Sequence, residues 1–420
     1  MTPIGNSKAI AHGDLDNDGD EDLYVTRGIQ AMDVVAVAGQ EVAFELHDRA
    51  QGNLAFRLPI AGITRIDALV LCEGHENAPH RFLGAAGSHP ADQLLSFTPG
   101  DFARLRGRPT LAAQDYGVLV FVDDQDRFTI ELVAAGRHDE SATGKLTITG
   151  AAPVIEKLGP FVDHAPDLTN RLLQNDGQGG FSDVTSERGA GDPRSGRMSV
   201  IADFDNDGDL DIFVLNNAPF LVDEPDCLYW NDGRGTFTPV ESPLPRLENG
   251  GGRPSSALAL DYDGDGDLDL FITNGDDERP FNKGPYQLWR NRGANGHWLM
   301  VRLVGGKTCE PNGLGARLYL DLAGGPTLLR ECDGGNTLYS QSLLPVHFGM
   351  GSQTRATRLR VRWPNGDEQV VDDVRADQVL VVDADRRAPA ARESLWPYLL
   401  TWGILGSAAF LIVRQRSQRP

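Results

Sequence analysis

Three stretches of this chain repeat one pattern of alternating carboxylates. They read Asp14-Leu-Asp-Asn-Asp-Gly-Asp-Glu-Asp22, Asp203-Phe-Asp-Asn-Asp-Gly-Asp-Leu-Asp211 and Asp261-Tyr-Asp-Gly-Asp-Gly-Asp-Leu-Asp269, each a D-x-D-x-D-G-x-x-D. So many like charges in one short segment repel unless a cation sits among them. A hard cation such as calcium takes a shell of carboxylate and carbonyl oxygens, and this spacing supplies one from a single tight loop. The first, third and fifth residues point inward and glycine at the sixth allows the sharp turn. The seventh offers its carbonyl, and the ninth closes the shell. A solvated acidic face binding nothing is the rival reading. It does not account for a spacing, a glycine and a ninth-position aspartate that recur together three times.

The flanks exclude an EF-hand. A bidentate Glu belongs at the twelfth position of such a loop, where the chain has Val25, Val214 and Ile272. Short apolar runs lead in (Ala9-Ile-Ala11, Ser199-Val-Ile201, Leu258-Ala-Leu260) and out (Leu23-Tyr-Val25, Ile212-Phe-Val214, Leu270-Phe-Ile272). Such runs bounded by turn residues are strand signals. A second element recurs: Asn175-Asp-Gly-Gln-Gly-Gly-Phe181 and Asn231-Asp-Gly-Arg-Gly-Thr-Phe237, with Asn291-Arg-Gly-Ala-Asn-Gly-His297 as a degraded third copy. Asn-Asp-Gly clusters supply the positive φ that tight turns need. One unit is therefore strand, acidic loop, strand, long connection, strand, turn, strand, the four-stranded blade of a β-propeller.

The second and third loops begin 58 residues apart, the first and second 189 apart. The excess falls within 28–166, about the size of a small domain. Its alternating runs (Val42–Leu46, Leu54–Leu58, Ala68–Leu71, Val118–Val122, Phe128–Val133, Leu146–Ile148) predict an inserted β-sandwich.

The loops and N-D-G-x-G-x-F turns resemble FG-GAP/VCBS repeats. His297-Trp-Leu-Met-Val-Arg-Leu303, Asn312-Gly-Leu-Gly-Ala-Arg317, Ser340-Gln-Ser-Leu-Leu-Pro-Val-His-Phe-Gly349 and Leu359-Arg-Val-Arg-Trp-Pro-Asn-Gly366 resemble the ASPIC/UnbV domain of cartilage acidic protein-like proteins. The resemblance implies a secreted or surface calcium-binding β protein with adhesion or matrix roles and no established catalytic residues. Carried over by position, it implies as metal ligands Asp14, Asp16, Asp18 and Asp22; Asp203, Asp205, Asp207 and Asp211; and Asp261, Asp263, Asp265 and Asp269. The carbonyls of Asp20, Asp209 and Asp267 complete three shells, for about three calcium ions.

The expected fold is all-β. Interrupted FG-GAP/VCBS blades occupy 1–27 and 167–296, the insert 28–166 and an ASPIC/UnbV-like β domain 297–384. A linker over 385–394, a transmembrane helix over 395–413 and a basic tail over 414–420 follow. Three blades are too few to close a ring, and the first strand follows Met1 with neither a basic start nor an apolar leader. The expectation is a chain that begins late relative to a longer exported protein.

Net charge is −21, which excludes nucleic acid as a partner. Leu395 to Val413 carries no charged residue, opens with Trp396, Tyr398 and Trp402, and is followed by Arg414, Arg416 and Arg419. This is long enough to span a bilayer, with the large domains facing outward. A processed sorting signal is the alternative. Of the four cysteines, Cys309 and Cys332 share a predicted domain and are either bonded or free; Cys72 and Cys227 stand apart. Enzyme motifs are wanting. Cys72-Glu-Gly-His75-Glu76-Asn-Ala-Pro-His80 comes closest to a transition-metal site, but its histidines are five apart and Pro79 breaks the helix required. Trp298 and Trp363 are expected in cores, His347 as a structural histidine, and Arg360 and Arg362 on the outer face of a strand. The functional expectation is a surface-anchored, calcium-rigidified module binding a protein or glycan ligand. The alternative is an extracytoplasmic hydrolase-like enzyme with its site on the insert.

Overall fold

The computed structural model describes residues 7–386 except 29–33, 48–52, 74–80, 88–93, 112–116, 134–140, 160, 162–168, 217–224, 242–253, 275–284, 294–295, 308 and 335–344. The apolar segment 395–413 therefore lies outside the described residues, as do His75, Glu76, His80 and the side chain of Cys72. Among the described residues no helix is long and apolar enough to cross a membrane. Among the described residues the fold is all-β apart from two single-turn helices.

Each acidic loop joins two antiparallel strands in the same register. Ser7–Gly13 pairs with Asp22–Arg27, Gly196–Ala202 with Asp211–Asn216, and Pro254–Leu260 with Asp269–Asn274. All three hairpins carry a bulge after the first residue of the leading strand. Arg171–Asn175 and Phe181–Asp183 complete the first sheet, and Cys227–Asn231 and Phe237–Glu241 the second. Arg171 lies opposite Val25, so the insert enters between the second and third strands of the first sheet.

Among the described residues the third sheet has three strands, ending with Gln287–Trp289. The cause is local. Asp176 and Asp232 each accept two backbone N–H groups of their own turn, which folds the last hairpin (Gln178 and Gly180; Arg234 and Thr236). The third copy has Arg292 at that position, with no acceptor to offer. The chain leaves instead for the C-terminal domain.

The three sheets stand side by side. Ala9, Met198, Val200 and Ala257 share one apolar core; Tyr24, Leu172, Ile212, Val214 and Tyr229 share another. The sheets follow one another in a row, and no closed propeller occurs among the described residues.

The insert packs two five-stranded sheets on one core. One holds Glu156–Leu158, Leu54–Pro59, Arg127–Val133, Gly117–Val122 and Arg81–Leu83. The other holds Val34–Ala38, Glu41–His47, Ser141–Thr149, Arg65–Glu73 and Leu94–Phe97. Phe44 and Phe56 meet across it with ring centroids 5.0 Å apart, and both are fully buried. The C-terminal domain likewise stacks a three-stranded sheet (Val346–Gly351, His297–Val304, Gln378–Asp383) on a four-stranded one (Thr327–Cys332, Ala316–Leu322, Arg355–Arg362, Glu368–Arg375). Leu359, Val361 and Trp363 enter its core, Arg360 is half-buried and Arg362 is exposed, as the alternation predicts. Cys309 and Cys332 are both free thiols beside that core.

Phe56→Ala removes an aromatic ring from the centre of the insert. It is expected to cost about 3–5 kcal/mol, read as a lowered denaturant midpoint of the transition that reports the insert.

Candidate metal centre

Each loop gathers its carboxylates at close range. Ligand oxygens of Asp14, Asp16 and Asp18 lie within 4.8 Å of one another, as do those of Asp203, Asp205 and Asp211, and of Asp261, Asp263 and Asp265. The sixth-position glycines take φ of 96°, 107° and 92°, a conformation that L side chains rarely adopt.

The fourth position carries a signal that the sequence reading passed over. Asn17 and Asn206 are left-handed, φ 58° and 62°, and Gly264 in the third loop has φ 78°. Asn is the non-glycine residue best suited to that region. It also has work for its side chain. Asn17 Nδ2 donates to Asp209 Oδ1 of the next loop at 2.7 Å, and Asn206 Nδ2 donates to Asp267 Oδ1 at 2.9 Å. The seventh-position side chains of the second and third loops thus tie neighbouring loops together.

The ninth-position aspartates have a repeated structural duty. One oxygen accepts the backbone N–H of the loop's second residue: Leu15 on Asp22, Phe204 on Asp211 and Tyr262 on Asp269, at 3.3, 3.0 and 3.1 Å. The other accepts the N–H of the turn asparagine: Asn175, Asn231 and Asn291, at 2.8, 3.0 and 2.8 Å. One carboxylate thereby fastens the loop to the turn of its own blade. The turn asparagines then reach the preceding loop: Asn231 Nδ2 donates to the Leu15 carbonyl at 2.8 Å, and Asn291 Nδ2 to that of Phe204 at 2.6 Å.

The donor set suits a hard cation. Asp16 Oδ1 and Asp20 Oδ1 in the first loop, Asp203 Oδ1 in the second and Asp263 Oδ1 in the third are buried with no hydrogen-bond partner. A buried unpaired carboxylate oxygen is costly unless something positive meets it. Burial drives the acidity accordingly. It pushes Asp14, Asp22 and Asp203 up to about 7, Asp211 to about 8, and Asp205 and Asp269 to about 6, with neighbouring carboxylates adding to the rise. The third loop differs because Arg290 supplies a cation from within the chain. Its Nε lies 2.6 Å from Asp263 Oδ2 and its Nη2 2.7 Å from Asp265 Oδ2. Burial raises Asp265 most, but the hydrogen bond and charge of Arg290 together with the hydrogen bonds from the Asp267 N–H and Asp263 leave that carboxyl lower than usual. The corresponding residues are Gln174, which donates to Asp16, and Trp230.

His347 is a structural histidine. Its Nε2 lies 3.1 Å from the Gly266 carbonyl, to which it donates, and burial lowers its pKa to about 4. Trp298 packs beside the blade core rather than in the core of its own domain.

These elements define the class. The family model described as FG-GAP-like repeat matches residues 163–214 and 220–272, and the one described as ASPIC and UnbV matches 306–389. The chain thus carries FG-GAP-like repeats followed by an ASPIC and UnbV domain, as its motifs imply. In particular, it is similar to Cartilage acidic protein 1. Identity is 31% over 190 residues with the Homo sapiens protein, 30% over 190 with that of Mus musculus and 26% over 197 with that of Xenopus tropicalis. Those alignments cover 44%, 44% and 46% of this chain and 27%, 28% and 29% of the relatives. The chain thus spans little more than a quarter of the length of the curated relatives it matches. A group B streptococcus pilus 2b backbone protein aligns over 84% of this chain and 95% of its own at 8% identity, but with a TM-score of 0.13 it carries no argument.

The raised carboxyls set the sign of a pH dependence. Folded values of about 6 to 8 exceed the unfolded value of ~3.9, so the metal-free fold holds extra protons between those limits. Their stabilising contribution is fully present below the unfolded value and is lost as pH rises through the folded ones. In chelator, the blades are expected to melt at a higher temperature at pH 5.5 than at pH 7.5. Scanning calorimetry at both pH values checks this.

Proposed function

We propose that this chain is a calcium-binding repeat protein that works outside the cytoplasm as a surface-anchored adhesion or ligand-binding module. The observation that carries the reading is the orphaned buried oxygen of Asp203, set among Asp205 and Asp211 and matched by Asp16 and Asp263 in the sister loops. The residues to hold the ions are those at the first, third, fifth and ninth positions, with the seventh carbonyls of Asp20, Asp209 and Asp267. Bound calcium would neutralise the loop carboxylates and hold the three hairpins rigid. Rigid loops on a β scaffold are a usual seat of recognition, and the partner is a protein or glycan. The apolar segment 395–413 supports a membrane tether. The extracellular setting suits weak loops of this kind, with dissociation constants of roughly 0.1–1 mM.

Calcium that binds only the folded form stabilises it by about 2.7 kcal/mol per site at a hundredfold excess over the dissociation constant. Addition of calcium to chelated protein is expected to raise the melting temperature of the blades. Asp205→Asn combined with Asp207→Asn is expected to remove about a third of that gain, since one loop in three is disabled. A melting temperature indifferent to calcium and chelator in the unaltered chain would sink the reading.

Arg290 competes for the third loop, so calorimetric titration is expected to resolve one weaker site. Arg290→Gln is expected to tighten that site about threefold, the scale of an exposed ion pair. Equal affinities before and after the change would show that Arg290 yields without cost.

A further inference from the structure

The second loop is built differently from the other two. In the first loop, Asp14 accepts N–H groups only from its own residues, Asp18 at 3.1 Å and Gly19 at 3.2 Å. In the third, Asp261 likewise accepts from Gly264 at 2.7 Å and Gly266 at 3.0 Å. Asp203 in the second loop accepts one from its own Gly208 at 2.9 Å and one from Gly349 of the C-terminal domain at 3.0 Å. Both fall on Oδ2, and Oδ1 of this buried residue is left without a partner.

The same face of the C-terminal domain meets the loop at two further points. Gly351 N–H donates to the Asn206 carbonyl at 2.8 Å. Arg330, 8% exposed, donates from Nη2 to the Gly208 carbonyl at 2.9 Å and lies over the Phe348 ring at 5.5 Å. Its charge acts on Asp203, Asp14, Asp209 and Asp211. Gly349 has to be glycine, because a Cβ there would stand 2.2 Å from Asp203 Oδ2 and 2.5 Å from the Asn206 backbone.

We propose that the second loop is a two-domain metal site, in which the repeats supply the carboxylates and the C-terminal domain supplies the outer shell. Gly349 and Arg330 are positioning residues. The N–H of Gly349 fixes Asp203 with Oδ1 free for the cation, and Arg330 holds the Gly208 turn while offsetting charge that one divalent ion leaves over. Cation binding at this loop and seating of the C-terminal domain are therefore one coupled equilibrium. Such coupling is reciprocal, each event strengthening the other by the same factor. Outer groups of this kind orient ligands and tune the affinity of metal sites.

The inference rests on the calcium reading, and the test keeps the two apart. The full chain is titrated with calcium by calorimetry, and its backbone hydrogen exchange is followed in saturating calcium and in chelator. The expected result is binding together with exchange at Gly349 and Gly351 at least about fivefold slower in calcium. Gly349→Ala is expected to weaken one site about fivefold or more and leave the others unchanged. Binding with unchanged exchange at Gly349 and Gly351 overturns the two-domain site and spares the calcium reading. Absence of any binding overturns both. Should Gly349→Ala fail to fold, the exchange measurement on the unaltered chain decides.

Discussion

Mutual repulsion of carboxylates confined to three hairpin loops is the constraint around which the blades are arranged. Fifteen aspartates occupy these loops, and the first and ninth of each loop are buried or nearly so. Without a cation, desolvation and like charge would splay such a hairpin. The fold answers with backbone N–H groups. Each ninth-position aspartate takes two of them, one from its loop and one from its turn, so the residue that closes the loop also locks the blade. These bonds satisfy both oxygens of each ninth-position carboxylate and leave single oxygens of Asp16, Asp20, Asp203 and Asp263 to be met by something else.

Loops and strands were legible because their chemistry is local. D-x-D-x-D-G fixes a tight acidic loop, and the short apolar runs either side, with no Glu at the twelfth position, make its flanks strands. The insert was legible to the extent that it alternates. Val34–Ala38, Arg81–Leu83, Leu94–Phe97 and Glu156–Leu158 were not read, being short or placed at sheet edges, where partners rather than pattern decide pairing. The missing fourth strand of the third sheet could have been read from Arg292, which replaces the turn aspartate.

What a single repeat could not disclose is how repeats meet. Asn at the fourth position looks like any polar turn residue until its left-handed backbone and its bond to the next loop are seen together. Arg330 is one arginine in an alternating strand; only the fold places it against a loop 122 positions away. Gly349 belongs to a recognisable family motif, yet the reason for its glycine lies in Asp203 and Asn206. Contacts between domains leave no periodicity, so no pattern along the chain reports them.

The bonds that link one repeat to the next stop at the third loop. Every loop but the last receives a side-chain donor from the turn of the following repeat: Leu15 from Asn231, Phe204 from Asn291. Each also sends an asparagine forward, Asn17 and then Asn206. The third loop has Gly264 where that asparagine would be, and no fourth repeat follows. Its Gly266 carbonyl is met by His347, and a Cβ on Gly266 would strike the Trp298 indole. Both residues belong to the C-terminal domain. That domain thus covers the third loop, meeting its sixth-position carbonyl through His347 as Arg330 meets that of Gly208 in the second. It reaches back along the row as well, to the second loop through Gly349 and Arg330. It touches the first hairpin through Asp333, whose carboxylate lies 3.2 Å from His12. A stack of repeats needs an end that satisfies its last carbonyl without offering another open loop, and a β domain whose edge carries a histidine, an arginine and a bare glycine N–H meets that need.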